Sequence, residues 1–481
     1  MLLPVADIIV IFLYLALCVG IGIKIGGKPT DATSYFTSRG QVPWWAVSFS
    51  IVATETSMLT VISVPAVAYL GGLGFLQIVF GYVIGRIFVA WLMLPAYFTG
   101  EQKTAYSLFQ ERFGINFRRS ISGTFLITRL LADGVRLFAA AIPLKVITGL
   151  SYPVSITIIA LLTLAYTYYG GLKSVIWIDV MQLIVYVFGG VYIIAHIFFS
   201  MPAMDIGLLQ EMGKLKIIHL PSSFSDIFYI PYNLVGALIG GMFLTAASHG
   251  TDHLIIQRLI ASGSLTNARK ALVTSGFLVL IQFSLFLLAG LSLYLWYSGV
   301  SIDALGVSNS DEIILKFIKE VVPPGIAGLI IAGLFAAAMS TLSSSLSALS
   351  STTLFDLFPK LAERNNSMQI SRVLMVIWTL VFIGFGLVFS DTDNPVIELG
   401  LGIAGFTYGG LLGAFIVGRF TNYNSTSAFA GLICTVTGMT IVIMTTGIAW
   451  PWYTFMGIVI FYMVSSFTNL LTTNKVKSTK Q

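Results

Sequence analysis

The amino-acid sequence predicts an all-α polytopic membrane protein with about thirteen transmembrane helices. Charged residues make up 10% of the 481 residues and apolar residues 57%, whereas soluble domains carry about 25% charged residues. Apolar runs recur from residue 5 to residue 471, and a run of roughly 20 residues can cross a hydrocarbon core of about 30 Å. Only a helix satisfies its own backbone hydrogen bonds in such a crossing. We therefore expect a single integral membrane domain, 1–481, without a soluble domain.

The apolar runs follow one another with short loops between them. The first run lacks a basic start and a convincing cleavage site, so we interpret it as a mature helix and not as a signal peptide. The expected spans are 5–25, 46–70, 73–97, 119–148, 152–169, 175–200, 230–257, 271–297, 324–355, 370–390, 395–417, 427–447 and 450–471, followed by a cytoplasmic tail, 472–481.

Basic residues are concentrated in alternate loops, and such loops face the cytoplasm. Eighteen of the 26 Lys and Arg residues fall on one side and about five on the other,. This split predicts an outside N-terminus, a cytoplasmic C-terminus and an inner or plasma membrane location. It also explains the basic pI without nucleic-acid binding, because the residues form no single stripe. The eighteen are Lys24, Lys28, Arg39, Lys103, Arg112, Arg118, Arg119, Lys173, Arg258, Arg269, Lys270, Lys360, Arg364, Arg372, Arg419, Lys475, Lys477 and Lys480.

A few ionisable residues fall inside the apolar runs, where each costs about 2.5–3.5 kcal/mol and is a functional candidate. Asp133 lies four residues after Arg129 and three before Arg136, so the three share one helix face. They form either a self-neutralising structural ladder or a net positive charge that Glu55 or an anionic substrate balances. The full set is Glu55, Arg86, Arg129, Asp133, Arg136, Asp179 and Asp252.

The second run has a polar centre, with five polar side chains between positions 54 and 60. Transporters often break a helix at this depth, so that freed carbonyls can hold a cation. We expect such a break here. The alternative is a continuous polar helix packed through hydroxyl hydrogen bonds.

The ninth run carries a stripe of small and hydroxyl-bearing residues. Ala337, Ser340, Thr341 and Ser344 follow helical spacing, and their oxygens suit a weakly held alkali cation better than a divalent ion,. The alternative is tight packing of small residues. The pair His249 and His253 resembles a zinc motif only superficially, because no third ligand is evident.

Several segments in this order resemble the sodium/solute symporter family, which includes bacterial sialic acid, proline and galactose symporters and mammalian sodium/glucose cotransporters. The resemblance covers about 35–420. Its motifs are Tyr35-Phe36, Arg39-Gly40, Pro43-Trp44-Trp45, Tyr169-Gly170-Gly171-Leu172-Lys173, Trp177-Ile178-Asp179-Val180, Gln257-Arg258, Gly325-Ile326-Ala327-Gly328-Leu329 and the stretch from Ala336 to Ser347.

The resemblance implies a five-plus-five inverted-repeat core of the leucine-transporter type. The first repeat would span 46–200 and the second 230–417, with an extra helix at 5–25 and two more at 427–471. It also implies one sodium ion between the broken first core helix and the eighth. Carried over, the ligands are the carbonyls of Ala53, Thr56 and Ala337 and the hydroxyls of Ser340 and Thr341.

Some family members hold a second sodium ion, and the corresponding residues here are Asp179, Ser343 and Ser344. The alternative role for Asp179 is a salt bridge to a cytoplasmic lysine such as Lys173. The resemblance therefore leads us to expect two sodium ions, one at each site. The predicted partners are sodium, a small solute and lipid, and a monomer is plausible.

These features together predict a sodium-coupled symporter and not an enzyme. The solute would be a sugar, a sialic acid or other organic acid, or an amino acid, carried by alternating access. Alternatives are proton coupling through Glu55 or Asp179, a channel, and a sodium-dependent membrane sensor. The expected substrate residues are Glu55, Ser57, Thr60, Phe75, Gln77, Arg129, Arg136 and Asp252.

Overall fold

The computed structural model describes residues 4–26, 31–99, 103–201, 205–307, 309–388 and 396–478. Throughout these ranges the regular elements are helices, as the sequence predicts. The α-helices are α1 Val5–Gly26, α2 Ala32–Thr37, α3 Trp44–Glu55, α4 Met58–Gly71, α5 Leu76–Phe88, α6 Ser107–Phe113, α7 Ile115–Thr148, α8 Tyr152–Ser200, α9 Ile206–Glu211, α10 Asp226–Tyr229, α11 Leu234–Gly250, α12 His253–Ala261, α13 Leu265–Trp296, α14 Ile313–Val321, α15 Ile326–Thr352, α16 Pro359–Ala362, α17 Ser367–Val388, α18 Val396–Phe420, α19 Ser425–Thr445 and α20 Trp452–Ser478.

Shorter helical turns extend some of these elements. The π-helical turns are Val89–Met93 and Thr353–Leu357, and the 3₁₀ turns are Leu94–Phe98, Asp303–Leu305 and Ser310–Glu312.

Many of the helices are suited to cross a membrane. Within the described residues, eight are long and apolar enough, and there are ten such spans if each of two bent helix pairs counts as one. A polytopic membrane protein is thereby confirmed. The helices α7 and α18 coincide with the runs predicted at 119–148 and 395–417 but are not among these ten. The count of thirteen stays a prediction.

Helix α8 contains two predicted runs, joined at a kink. Its 49 residues would extend about 74 Å if straight, more than twice the hydrocarbon thickness. Gly171 interrupts the helix with a φ of 60°, a value that glycine adopts readily. A Cβ atom there would lie 2.7 Å from the Tyr35 carbonyl oxygen. The kink therefore separates the runs predicted at 152–169 and 175–200.

Two helix pairs are sharply bent at short breaks. Helices α3 and α4 meet at 63°, with Thr56 and Ser57 between them, as the polar centre of that run predicts. Helices α11 and α12 meet at 61°, with Thr251 and Asp252 between them. This second break corrects the prediction of an uninterrupted helix at 230–257.

Helix α15 lies at the centre of the bundle. Of its most apolar stretch 89% is buried, against 17% for α1 at the periphery. Small side chains permit this close packing, since every residue from Ile330 to Thr352 is buried,. The hydroxyl-rich face of α15 is therefore enclosed by protein and not by lipid.

Some sequence predictions concern residues outside the described ranges. Lys28 and Lys480 from the loop-charge argument are among them, as are the end of the run 370–390 and the first residue of the run 395–417. The side chains of Lys475 and Lys477 are likewise not described.

Candidate functional site

The first helix break changes the partner of one backbone amide. In a continuous helix the Ser57 amide would donate to the Ala53 carbonyl, but here it donates to the Glu55 carbonyl at 3.0 Å. The Ser57 side chain does not cap α4. The break thus leaves the Ala53 carbonyl without its helical donor. It also puts the C-terminal end of α3, which carries a partial negative charge, next to the start of α4.

The hydroxyl-rich face of α15 lies against this break. The Thr341 hydroxyl donates to the Thr54 carbonyl of α3 and to the Ala337 carbonyl of its own helix, at 3.3 Å in each case. The Ser340 hydroxyl donates to the Asp179 carboxylate at 2.5 Å. Uncharged oxygens of this kind fit an alkali cation. The five residues predicted for the first sodium ion are all buried here: Ala53, Thr56, Ala337, Ser340 and Thr341.

Asp179, predicted for a second sodium ion, is fully buried on α8. Its Oδ2 atom accepts a hydrogen bond from the Ser50 hydroxyl at 2.5 Å. Arg258 of α12 lies 3.2 Å from the same oxygen. The ion-pair partner of Asp179 is therefore Arg258 and not a lysine such as Lys173.

The two serines predicted beside Asp179 have different surroundings. Both Ser343 and Ser344 donate to the Ser340 carbonyl one turn earlier, at 3.0 and 2.7 Å. Ser344 also accepts a hydrogen bond from Arg258. The structure thus joins Ser344 to Asp179 through the guanidinium, whereas the Ser343 hydroxyl points along its own helix.

The position of Arg258 corrects the sequence analysis, which counts it among the cytoplasmic loop charges. Its side chain is fully buried within the bundle. The guanidinium is accommodated there because a carboxylate, hydroxyl groups and the Leu254 carbonyl accept its hydrogen bonds,.

A separate charged cluster connects α7, α12 and α18. Arg129 donates to Asp252 through Nε at 2.9 Å and again through Nη2, which also contacts the Tyr408 oxygen. The Tyr408 hydroxyl donates to Asp252 at 2.6 Å. Asp133 lies 3.3 Å from Arg129 and 3.0 Å from Arg136. Arg129, Asp133 and Arg136 of α7 together carry one net positive charge. Asp252 balances this charge, and Glu55 does not.

Glu55 has its own cation. It forms a salt bridge with the fully buried Arg86 of α5, which also donates to the Ser275 hydroxyl at 2.7 Å. The His249 Nε2 atom lies 3.7 Å from the Glu55 carboxylate. The imidazole of His253 instead accepts from the Ala105 amide at 3.2 Å and so packs within the fold. The two histidines thus lie in separate environments, His249 beside Glu55 and His253 beside Ala105.

A cavity of about 530 Å³, part of it open to solvent, lies beside these charges. Three of the predicted substrate residues line it, namely Glu55, Arg129 and Arg136. The other lining residues are Thr54, Tyr82, Leu244, Thr245, Ser248, His249, Leu254, Ile255 and Tyr408.

The remaining predicted substrate residues lie outside the lining of this cavity. Asp252 forms an ion pair with the cavity residue Arg129, and Ser57 and Thr60 are buried at the break. Phe75 stacks on Phe283, with ring centroids 5.3 Å apart. Gln77 donates to the Gly74 and Tyr232 carbonyls and accepts from the His219 amide. Gln77 thus holds the segment before α11, whereas Phe75 packs against α13.

Sequence reasoning did not identify Tyr82, His249 or Tyr408 as cavity residues. His249 carried a signal, because a histidine inside an apolar run needs a polar neighbour. Tyr82 and Tyr408 carried none, since aromatic residues are common throughout such helices.

Comparison with known proteins places the chain among transporters. Residues 35–434 match the model of the sodium:solute symporter family. The sodium/sialic acid symporter of Proteus mirabilis is 28% identical over 89% of this chain and 87% of its own. That of Aliivibrio fischeri is 24% identical over 98% of this chain and 94% of its own. A sodium/glucose cotransporter of Vibrio parahaemolyticus is 27% identical over 73% of this chain and 68% of its own.

Solved structures agree with the fold. The substrate-bound, outward-open structure of a sodium-coupled sialic acid symporter superposes with a TM-score of 0.84 and 25% identity, covering 97% of this chain and 98% of that one. A nucleobase–cation symporter shares the architecture at a TM-score of 0.59 and 14% identity, over 92% of this chain and 93% of that one. The fold is therefore that of the leucine-transporter type.

The broken helices, the buried oxygen-lined site beside α15 and the adjoining charged cavity are the parts that a cation-coupled transporter needs. The chain belongs to the sodium:solute symporter family, and it is a multi-pass membrane protein that transports a small solute with sodium by alternating access.

Proposed function

We propose that the solute is a small organic anion with several hydroxyl or amide groups, an acidic sugar of the sialic acid type being the best fit. Its carboxylate would bind Arg136, and the coupling sodium ion would bind between the first helix break and α15. The observation that carries this proposal is the unpaired hydrogen-bonding capacity of Arg136 in the cavity.

Arg136 has hydrogen-bond donors to spare. Its Nη1 atom donates to Asp133 at 3.0 Å, but its buried Nε atom has no hydrogen-bond partner. Arg129, the other cavity arginine, is engaged by Asp252, Asp133 and Tyr408. Because an unpaired buried donor is costly and a guanidinium pairs well with a carboxylate, Arg136 is the group suited to an anionic ligand.

The wall formed by Glu55 and His249 suits uncharged polar groups of the same solute. Glu55 is paired with Arg86 and keeps 17% of its side chain exposed. The Nε2 atom of His249 is buried without a hydrogen-bond partner. A carboxylate accepts hydrogen bonds and an imidazole can donate or accept one, so both can recognise hydroxyl or amide groups. A solute with an acid at one end and hydroxyls at the other could pair with Arg136 and also hydrogen-bond to Glu55 and His249.

For the sodium ion we propose the ligand set of the sequence analysis. The released Ala53 carbonyl and the contact between the Thr341 hydroxyl and the Thr54 carbonyl support it, because both provide buried, uncharged oxygens near the end of α3. The carbonyls of Thr56 and Ala337 and the hydroxyl of Ser340 would complete the coordination. Bound there, the ion links α3 to α15 and favours the conformation with the formed cavity.

We also propose the two-repeat organisation, 46–200 and 230–417, with the N-terminus outside and the C-terminus in the cytoplasm. Nearly equal bends at the two breaks, 63° and 61°, support the repeat. The loop charges support the orientation. A phosphatase or fluorescent reporter fused to the C-terminus tests it, since only a cytoplasmic terminus gives fluorescence without phosphatase activity.

Ligand-dependent stability is the direct test of the solute. Purified protein would be heated with N-acetylneuraminic acid, its methyl ester, glucose or proline, each in sodium and in potassium. We expect the acid in sodium to stabilise most, because the ester lacks the charge that pairs with Arg136. Equal stabilisation by acid and ester, or by glucose alone, would overturn the anionic assignment.

The matched variants are Arg136→Gln and Lys145→Gln, both on α7. Lys145 lies over the Tyr152 ring outside the cavity lining. We expect Arg136→Gln to weaken binding of the acid about 100-fold, the equivalent of about 2.7 kcal/mol, and Lys145→Gln to leave it unchanged. Loss of binding in both variants would point to helix damage and not to recognition.

A further inference from the structure

We propose that the chain binds the headgroup of an anionic phospholipid at Arg372, where α17 packs against the part of α8 before its kink. This site lies apart from the cavity and the sodium site, and it does not depend on the function proposed above. The group that it recognises is a phosphodiester carried on acyl chains.

Arg372 lies at one end of a seam between two antiparallel helices. Near the other end, a Cβ atom at Gly386 of α17 would lie 3.3 Å from the Ile156 side chain of α8. Arg372 is in the second turn of α17, and its guanidinium lies over Tyr168, three residues before the kink at Gly171. Because the kink joins two predicted crossings, this end of the seam lies at a surface of the bilayer.

Within the described residues, the guanidinium of Arg372 is stacked on aromatic rings but not hydrogen-bonded. Its Cζ atom lies 5.1 Å from the centre of the Tyr168 ring and 6.0 Å from that of Tyr169. Its Nε atom is buried without a hydrogen-bond partner, and none of the salt bridges in the described part of the chain includes it. Stacking uses the face of a guanidinium and hydrogen bonding uses its edge, so its donors suit a ligand with two oxygens.

The tyrosines beneath the guanidinium are held in place by the fold. The Tyr35 hydroxyl donates to the Thr167 carbonyl at 2.6 Å and to the Tyr168 carbonyl at 3.1 Å. Tyr35 is buried, whereas Tyr169 is 50% exposed. The last turn before the kink is therefore fixed from the inside and presents an aromatic ring on the outside. A site that is formed before its ligand arrives loses less conformational entropy on binding.

The surface beside Arg372 is apolar and favours a lipid over a soluble phosphate. On α17, Val373 and Ile377 are 56% and 47% exposed, and on α8 Leu161 is 50% exposed. Successive residues of a helix are rotated by about 100°, so Arg372 lies between this exposed face and the buried face that carries Ser371. A phosphodiester at Arg372 would therefore have its acyl chains against apolar side chains.

Further positive charge lies at this end of the bundle. Lys173 follows the kink by two residues. Lys24 is two residues after Gly22, whose carbonyl accepts from the Ser174 hydroxyl at 2.7 Å. Neither lysine belongs to a salt bridge among the residues that the structure describes. Basic pockets between transmembrane helices bind anionic headgroups on the cytoplasmic side, to which the loop charges assign this end.

Native mass spectrometry of the purified full-length protein tests the proposal. Delipidated protein would be titrated with phosphatidylglycerol, with phosphatidylcholine of the same acyl chains, or with soluble glycerol phosphate. We expect one phosphatidylglycerol per chain, bound about tenfold more tightly than phosphatidylcholine, whose choline offsets the phosphate charge. Equal binding of the two lipids, or retention of neither, would overturn the proposal. Glycerol phosphate binding as tightly as phosphatidylglycerol would assign the site to a soluble anion and overturn the lipid.

Arg372→Gln removes the charge and should lower the affinity for phosphatidylglycerol about tenfold. Arg372→Lys keeps the charge but loses the planar group that stacks and donates two hydrogen bonds, so we expect a smaller loss. The matched control is Arg364→Gln, because Arg364 is an exposed arginine shortly before α17, and its affinity should equal that of the wild type. Unchanged affinity in Arg372→Gln, or an equal loss in the control, would overturn the assignment. If Arg372→Gln does not fold, Arg372→Lys and the lipid preference of the wild type still decide.

Discussion

The breaks between α3 and α4 and between α11 and α12 bend the chain by similar angles, 63° and 61°, but their released backbone groups have different partners. At the second break the Tyr97 hydroxyl donates to the Gly250 carbonyl at 2.6 Å, and Asp252 accepts from the Leu254 amide at 2.9 Å. At the first break the Ser57 side chain provides no cap, and the Ala53 carbonyl loses its helical donor.

The difference shows how two similar helix breaks can have different roles, one structural and one in ion binding. Where side chains of the protein satisfy the released groups, the break is a fixed joint. Where they do not, as at the Ala53 carbonyl, the buried group needs another partner, and we propose that this partner is the sodium ion. The second break is also connected to the cavity, because the Asp252 carboxylate forms an ion pair with the cavity residue Arg129. We expect substitutions at the second break to affect folding and those at the first to affect sodium binding.

The largest effect is expected for Asp252→Asn. The change removes the charge that pairs with buried Arg129 and weakens the cap of α12, so unfolding should become easier by about 3–5 kcal/mol. Thermal unfolding of the purified protein measures it. The control is Glu320→Gln in the exposed pair with Lys316, for which we expect a change of about 0.5 kcal/mol or less. A stable Asp252→Asn protein would contradict the view of this break as a fixed joint.

An intermediate effect is expected for Thr341→Val, which keeps the shape of the side chain and removes its hydroxyl. The sodium concentration for half-maximal stabilisation should rise about tenfold, the equivalent of about 1.4 kcal/mol. Stability without sodium should change little, because the two hydroxyl contacts are long,. Ser347→Ala, on the same helix and without a hydrogen-bond partner for its hydroxyl, is the control. If both variants respond alike to sodium, the ion binds elsewhere.

The smallest effect is expected for Tyr97→Phe. This variant leaves the Gly250 carbonyl without its hydroxyl donor, at a cost of about 1 kcal/mol in unfolding free energy. Its sodium dependence should match the wild type, since Tyr97 serves the second break alone. A shifted sodium response in Tyr97→Phe would show that the two breaks are coupled.

The sequence predicted the first break because several polar side chains interrupt an apolar run within two helical turns. The second break carries a weaker signal: Thr251 and Asp252 lie close to the presumed end of their run, where polar residues are ordinary. Local composition cannot distinguish a helix that ends from one that bends and continues.

The ion pairs illustrate the same limit. Spacing on one helix predicted the contacts of Asp133 with Arg129 and Arg136. The pairs Asp252–Arg129, Asp179–Arg258 and Glu55–Arg86 join residues 123, 79 and 31 positions apart, and only the packing of helices brings them together. Arg258 was assigned to a loop because basic residues near the end of a run usually mark the cytoplasmic side.

The kink at Gly171 has a consequence for the whole chain. If the two parts of α8 cross the membrane separately, as the runs at 152–169 and 175–200 predict, the kink sets whether the number of crossings before any later segment is odd or even. If residue 171 could not adopt a positive φ and α8 continued straight, every segment beyond it would emerge on the opposite face of the membrane. The second repeat would then run parallel to the first instead of inverted. The sign of one backbone angle would thus decide on which side of the membrane each later predicted span begins.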